Sequence, residues 1–466
     1  MKEMHSGRVF AFQDTDGTYV LDKANSKAYK TDANLGDTAE LQKLIDSFGE
    51  PQVDKELNLP YMRAQLCVTH LCNFKCSYCD LDGENTYKKD ALMSLETGKK
   101  AVGTILSYKP EHVKNVLLSF TSNGETLTNW GMVRELIDHC EDTAKSNDFK
   151  FSYNFASNAT MLTDKIIDEI LERQNLNVFF SLDGRENVHD RLRHYRCKEG
   201  STYNDAVGGI KAFMEKAKVK RPGKAISSST VLTTYNMDFN DIYDHLLGLG
   251  FGRIVTRPVR GPREWEFALS DATLPLFKES YDNFYKALRE GADSGDNGRL
   301  NAMAPVYDFF GRPFYMLLLN ERKFHGCPHC PPGTKDLKLF SVTFDSNGDI
   351  ISPCRDLIGN EQFKVGTLEK GFDDAKLKGI TTFHNEDKQS CSECWDEFVC
   401  GGGCNLQAYY ATKDIAKPDP VMCDLTRHAT KLSMKLLTHI EEAQPELYKK
   451  LKEKGQKSVP WHYKYE

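Results

Sequence analysis

Three cysteines, Cys72, Cys76 and Cys79, fall in one short stretch, Cys72-Asn73-Phe74-Lys75-Cys76-Ser77-Tyr78-Cys79. A four-iron four-sulfur cluster takes four thiolates, one per iron, so three from a single loop leave one iron with an open position. That vacancy points to chemistry at the cluster. The competing readings are a zinc knuckle or scattered buried cysteines, and a zinc site usually shows a second closely spaced pair.

A second group lies far downstream: Cys391, Cys394, Cys400 and Cys404, with Cys423 beyond them and Cys327, Cys330 and Cys354 before them. These eight thiolates match two fully ligated four-iron clusters, although paired Cys-x2-Cys steps also build zinc ribbons. The run Gly401-Gly402-Gly403 between two of the cysteines lets the backbone wrap closely. Of the other three cysteines, Cys140 shares a helical face with Val133, Leu136 and Ile137 and reads as a small buried hydrophobe. Cys67, inside a strand, points into packing, and Cys197 sits in a polar stretch.

Length and composition bound the positioning framework. A chain of 466 residues suggests two or three domains. Its formal charge of -6 gives no electrostatic case for nucleic acid or an anionic membrane. The first residues lack an apolar signal region, and no apolar run approaches the roughly 20 residues that a bilayer needs. A cytoplasmic location is the expectation, and fourteen cysteines in a reducing compartment then argue for clusters, metals or redox catalysis rather than disulfides.

The elements fall into zones. Residues 1–60 form a strand-rich module, with runs Val9-Phe10-Ala11-Phe12, Tyr19-Val20-Leu21 and Lys27-Ala28-Tyr29, then a helix capped near Asp37 or Thr38. Residues 61–300 alternate strands with amphipathic helices, which predicts parallel β/α units. The six predicted strands are Arg63 to Thr69, Asn115 to Phe120, Phe151 to Ala156, Val178 to Leu182, Ser227 to Leu232 and Arg253 to Val259. An α/β fold with a partial (β/α)6 barrel follows, with the active site at the carboxyl ends of the strands. Residues 301–430 carry the second cysteine group, and 431–466 a last helix and polar tail.

The polar motifs fall on that rim. The cysteine loop follows the first strand, Ser122-Asn123-Gly124-Glu125-Thr126 the second and Ser157-Asn158-Ala159-Thr160 the third, while Ser181-Leu182-Asp183-Gly184 closes the fourth. For Asp183-Gly184 an ordinary turn is the alternative.

With an aromatic residue before its last cysteine, this loop resembles that of the radical S-adenosylmethionine (SAM) enzymes. The resemblance implies that Cys72, Cys76 and Cys79 hold a cluster whose open iron chelates SAM, and that one electron then yields a 5'-deoxyadenosyl radical. It gives Gly124 and Glu125 the amino group of SAM, although Asn123 and Thr126 replace the glycine and proline of the family's Gly-Gly-Glu-Pro motif. It gives Ser157 and Asn158 the ribose, and the run through His189-Asp190 to Arg193 the carboxylate, with Asp183 close by.

The downstream cysteines resemble a SPASM domain. By that likeness Cys391, Cys394, Cys400 and Cys423 hold one auxiliary cluster and Cys327, Cys330, Cys354 and Cys404 another, making three clusters in all; binding by only one of Cys327 and Cys330 would leave an open iron for a substrate thiolate. The first module resembles a shortened peptide-recognition element that grips a leader peptide as an added strand, with a plain structural cap as the alternative.

The combination implies a maturase of a ribosomally made precursor peptide that installs a thioether or carbon-carbon crosslink, supplied with electrons by a flavodoxin or ferredoxin. A sulfatase-type maturase forming formylglycine is the second reading. That family carries an aspartate directly after the cysteine equivalent to Cys354, where this chain has Arg355 and then Asp356. A non-catalytic zinc- or cluster-binding protein is the third.

Overall fold

The computed structural model describes residues 2–51, 61–79, 92–120, 123–305, 308–321, 342–352, 354–381, 388 and 390–458. Ser122, Cys327, Cys330 and the last eight residues of the polar tail lie outside the described residues.

The first module is a four-stranded antiparallel sheet of β1 (Lys2–Ser6), β2 (Val9–Asp14), β3 (Gly17–Asp22) and β4 (Lys27–Thr31), in that order. The sequence suggested three strands. β1 escaped because it is polar and mostly exposed, an edge strand without the alternation that marks a half-buried one. The helix Thr38–Asp46 begins where expected, with the Asp37 side chain accepting from the Glu40 backbone N–H at 3.1 Å.

Alternation in β2 and β3 splits their side chains between two cores. Val9, Ala11 and Val20 pack with Leu41 under the helix, whereas Phe10, Phe12 and Tyr19 join the main core. Phe10 stacks on Trp395 with ring centroids 3.8 Å apart. Lys435 to Asp14 and Arg289 to Asp16, at 2.5 and 3.3 Å, tie the module to two long helices.

All six parallel strands expected from the sequence are present. They are β5 (Tyr61–Leu66), then, after the three-residue β6 (Phe74–Cys76), β7 (Asn115–Phe120), β8 (Lys150–Ser157) and β9 (Leu176–Ser181), and, after β10 (Arg193–Tyr195), β11 (Ser227–Leu232) and β12 (Arg253–Pro258). Their spatial order β5-β7-β8-β9-β11-β12 follows the chain, as successive β/α units dictate. Between them run helices Leu95–Ser107, Trp130–Lys145, Asp164–Glu172, Thr202–Lys220 and Phe239–Gly248. Cys140 is buried among Val133, Leu136 and Ile137, as its spacing predicts.

The same sheet continues beyond β5. β13 (Thr343–Phe344) pairs parallel with β5, and β14 (Asp349–Ile351), β15 (Lys364–Thr367) and β16 (Gly371–Phe372) extend it antiparallel. Among the described residues the sheet has ten strands, with β12 and β16 at opposite edges, and does not close into a barrel. Helix Pro420–Ala443, capped by Asp419, packs on Leu274–Ser294. Part of the expected polar tail is instead a helix, Pro445–Ser458. Leu451 anchors it, and Lys454 Nζ donates to the carbonyls of Asn301 and Met303.

Candidate functional site

A cavity of about 440 Å³ opens at the carboxyl ends of β5, β7, β8 and β9, where the rim motifs were expected to meet. Cys72, Cys76 and Cys79 line it together with Asn123, Gly124, Glu125, Ser157, Asn158 and Arg193, among others. Asp183 is not among the lining residues.

The cysteine loop is clamped by a pairing that spacing did not reveal. β6 runs antiparallel to β10, placing Cys76 opposite Arg193, Lys75 opposite His194 and Phe74 opposite Tyr195. Ser77 N–H donates to the Leu192 carbonyl at 2.8 Å, and Arg196 Nε donates to the Cys72 carbonyl at 3.3 Å. The segment after β9 is thereby joined to the loop after β5. Burial pushes the Cys72 thiol up to about 12 against the opposing Phe74 N–H, and burial also raises Cys76. Thiolates in such a setting need a cation beside them.

Gly124 stands where only glycine fits, because a Cβ there would lie 2.1 Å from the Leu71 carbonyl oxygen. Glu125 N–H donates to that same carbonyl at 2.8 Å. The Glu125 carboxylate accepts from Leu127 N–H at 3.1 Å and from Asn158 N–H at 2.7 Å, bracing the loop after β7 against the end of β8. Burial raises its pKa and those two N–H groups oppose the shift. Asn158 Nδ2 donates to Asn73 Oδ1 at 2.8 Å, so a residue between the cysteines fixes the ribose-motif asparagine. Asn123 Oδ1 is buried at the cavity and accepts no hydrogen bond among the described residues.

Asp183 forms a node behind the cavity. It accepts from Arg193 Nε at 2.8 Å, Arg193 Nη2 at 3.0 Å, Val231 N–H at 3.0 Å and the Tyr78 hydroxyl. Burial alone would raise the Asp183 carboxyl, but the Arg193 charge outweighs it and holds the group below its ordinary value. Arg193 is reciprocally kept charged by Asp183 despite burial. His189 Nδ1 accepts from Asp183 N–H at 3.3 Å, its Nε2 has no partner among the described residues, and burial, reinforced by Arg193, lowers it to about 4.

The downstream cysteines separate into two groups. Cys391, Cys394, Cys400 and Cys423 lie close enough for their charges to bear on one another. Burial is the larger influence, raising Cys391 to about 12 and Cys394 to about 11. Gly401, Gly402 and Gly403 all take left-handed φ values of 74, 83 and 73°, turning the chain sharply between Cys400 and Cys404. Cys354 and Cys404 share a different apolar cluster. Arg260 spans them, pairing with Asp356 at 3.0 Å and reaching the Cys404 sulfur at 3.9 Å.

Sequence reasoning missed Asn73, Arg196 and the role of Tyr78. Their signal was weak, since each is an isolated residue beside a stronger motif. Cys67 departs from its expected packing role: it is fully buried, but beside His70 and Asp345 rather than in a purely apolar setting. Cys197 is exposed.

Residues 66–249 match the family model of the Radical SAM superfamily, so the chain carries a Radical SAM domain, as its cysteine loop predicted. The radical SAM cyclopropyl synthase TigE of Paramaledivibacter caminithermalis is 27% identical over 192 residues, 39% of this chain. That match spans only 38% of the relative's length. An uncharacterized protein of Archaeoglobus fulgidus is 22% identical over 370 residues, 77% of each chain.

Among solved structures, anSMEcpe with bound AdoMet and the Cp18Cys peptide superposes with a TM-score of 0.60 at 18% identity, covering 84% of this chain and 99% of that one. Streptococcus suis SuiB bound to precursor peptide SuiA gives 0.52 at 15% identity, covering 90% and 99%. At these identities the likeness establishes a shared fold. No helix among the described residues is long and apolar enough to cross a membrane.

Proposed function

We propose that this chain is a radical SAM peptide maturase that installs a thioether or carbon-carbon crosslink in a ribosomally made precursor peptide. The observation that carries the reading is the cavity at the strand ends, where three cysteines of one loop face Glu125, Asn158 and Arg193. The residues fit the cofactor. Cys72, Cys76 and Cys79 would hold a four-iron cluster; Gly124, Glu125 and Asn123 Oδ1, which has no partner among the described residues, would face the amino group of SAM, Ser157 and Asn158 the ribose, and Arg193 the carboxylate. Bound there, cluster and SAM supply one-electron chemistry able to remove a hydrogen atom from an unactivated carbon.

The chain's own residues position and shield. β6 and β10 fix the cysteine loop, Asp183 aims Arg193, and the low-dielectric walls limit quenching by water. In the same reading Cys391, Cys394, Cys400 and Cys423 hold one auxiliary cluster, and Cys354 and Cys404, with Cys327 and Cys330, another. A peptide substrate is supported by the first module, whose β1 has no strand on its outer edge among the described residues and can accept an added strand. Two of the structural neighbours, anSMEcpe and SuiB, hold bound peptides, which agrees with that substrate class. An external flavodoxin or ferredoxin is the proposed electron source.

The sulfatase-type reading is less favoured. Asp356, one step later than that resemblance requires, is buried between Arg355 at 2.8 Å and Arg260 at 3.0 Å. Burial raises its carboxyl, but the two arginines outweigh burial and keep it ionised as their partner.

The test uses the reconstituted, reduced protein with SAM and a candidate precursor peptide taken from a neighbouring short reading frame. Loss of two hydrogen atoms per bond from the peptide, with slowed amide exchange in Lys2–Ser6 on peptide addition, is the expected result. An unmodified peptide alongside oxidation of a sulfatase-derived Cys or Ser peptide would overturn the reading. A crosslinked peptide without protection of β1 would remove the strand-addition step alone.

A further inference from the structure

We propose that Cys67, His70 and Asp345 form a site for one divalent transition ion of the zinc or ferrous type, separate from the cysteine loop. Among the described residues they are the one trio of metal-ligating side chains whose donor atoms all lie within 4.8 Å of one another. His70 Nε2 stands 2.7 Å from Asp345 Oδ1 and 3.8 Å from Cys67 Sγ. Tetrahedral zinc, with bonds of about 2.0 Å to nitrogen or oxygen and about 2.3 Å to sulfur, sets its ligand atoms roughly 3.3–3.6 Å apart. The sulfur is already near that spacing, and the imidazole and carboxylate need to part by only about half an ångström.

Burial and charge favour an ion. All three side chains are buried, with Cys67 and Asp345 at 0% exposure. The carboxylate oxygen Asp345 Oδ2 has no hydrogen-bond partner among the described residues, a costly state for a buried charge. A divalent cation would satisfy it, and with the Cys67 proton released to solvent the carboxylate and thiolate balance the two positive charges. A sulfur, nitrogen and oxygen donor set suits zinc or ferrous iron rather than magnesium or calcium.

The ligands are also held by backbone. Cys67 N–H donates to the Phe344 carbonyl at 2.8 Å, and Ser346 N–H donates to Asp345 Oδ1 at 2.8 Å. Three protein ligands leave a fourth position open, and His70 also lines the 440 Å³ cavity that the cysteine loop lines. The ion would join the end of β5 to the turn after β13, 275 residues apart in sequence.

The test starts from anaerobic holoprotein with its iron and sulfide in place, incubated with one equivalent of Zn²⁺ and desalted. About one zinc per chain should remain, with a zinc K-edge spectrum giving one sulfur near ~2.3 Å and the other ligands near ~2.0 Å. Asp345→Asn and Cys67→Ala should each lower retained zinc at least about tenfold with iron content unchanged, matching the loss of one ligand. Should Asp345→Asn fail to fold, Cys67→Ala, which removes only a small buried sulfur, carries the test with circular dichroism as its control. No zinc on the wild type, equal zinc on the variants, or a shell of three or four sulfurs overturns the proposal.

Discussion

Asp183→Asn isolates the node that ties the cysteine loop to the fourth strand. The wild-type carboxylate is fully buried and gathers two N–H groups of Arg193, the Tyr78 hydroxyl and Val231 N–H. Asparagine keeps the shape but strands the guanidinium, which is itself only 8% exposed. Removing one partner of a buried ion pair costs about 3–5 kcal/mol, because the other charge is left uncompensated. The double variant Asp183→Asn with Arg193→Gln removes both charges, so it should be more stable than Asp183→Asn alone.

Anaerobic urea unfolding of the cluster-free protein, followed by circular dichroism, measures all four corners of this cycle. A coupling of at least ~2 kcal/mol is expected for groups in direct contact. A single-variant loss below ~1 kcal/mol, or additivity within ~0.5 kcal/mol, would refute the claim that this pair holds the site together. As a control, Asp142→Asn, whose partner Lys145 is on the surface, should leave the midpoint unchanged.

Three further outcomes follow from the same contacts. His189 has its folded pKa lowered to about 4 from 6.5, so below pH 6.5 the unfolded chain binds a proton that the folded one refuses. Stability should therefore fall as pH drops from 6.5 towards 4, by about 1.4 kcal/mol per unit from this group, and His189→Gln should flatten that slope in urea midpoints taken across the range. Gly124→Ala places a Cβ against the Leu71 carbonyl and must displace the chain just before Cys72. Overpacking of about 1–3 kcal/mol should weaken SAM binding roughly tenfold by equilibrium dialysis, and unchanged affinity would sink the close-approach argument. Phe10→Ala removes the ring stacked on Trp395 and should cost about 3–5 kcal/mol, read as a lower unfolding midpoint with early proteolysis between β4 and β5.

The six parallel strands were legible because each is an apolar run between amphipathic helices, a pattern that tertiary context seldom overrides. Helix Leu95–Ser107 and the Asp37 cap were legible for the same local reasons. β1 was not, since an exposed edge strand has no buried face to write into its sequence. The pairing of β6 with β10 was not, since three-residue strands carry no periodicity. Helix Pro445–Ser458 was read as tail because its few anchors, Leu451 and the stem of Lys454, are scattered among lysines.

By itself the sequence determined the chemistry-bearing set: Cys72, Cys76 and Cys79 at cluster spacing, polar motifs after successive strands, and a second thiol group downstream. These are local facts, set by residue type and separation along the chain. Only the tertiary structure decided what each side chain faces. It put Asp183 behind Arg193 rather than in the cavity, brought Asn73 to Asn158, and set Asp345 against His70 across 275 residues. It also ran β13 to β16 onto the same open sheet. Such contacts arise from the packing of distant segments, where burial and charge compensation are settled by neighbours that no sequence window contains.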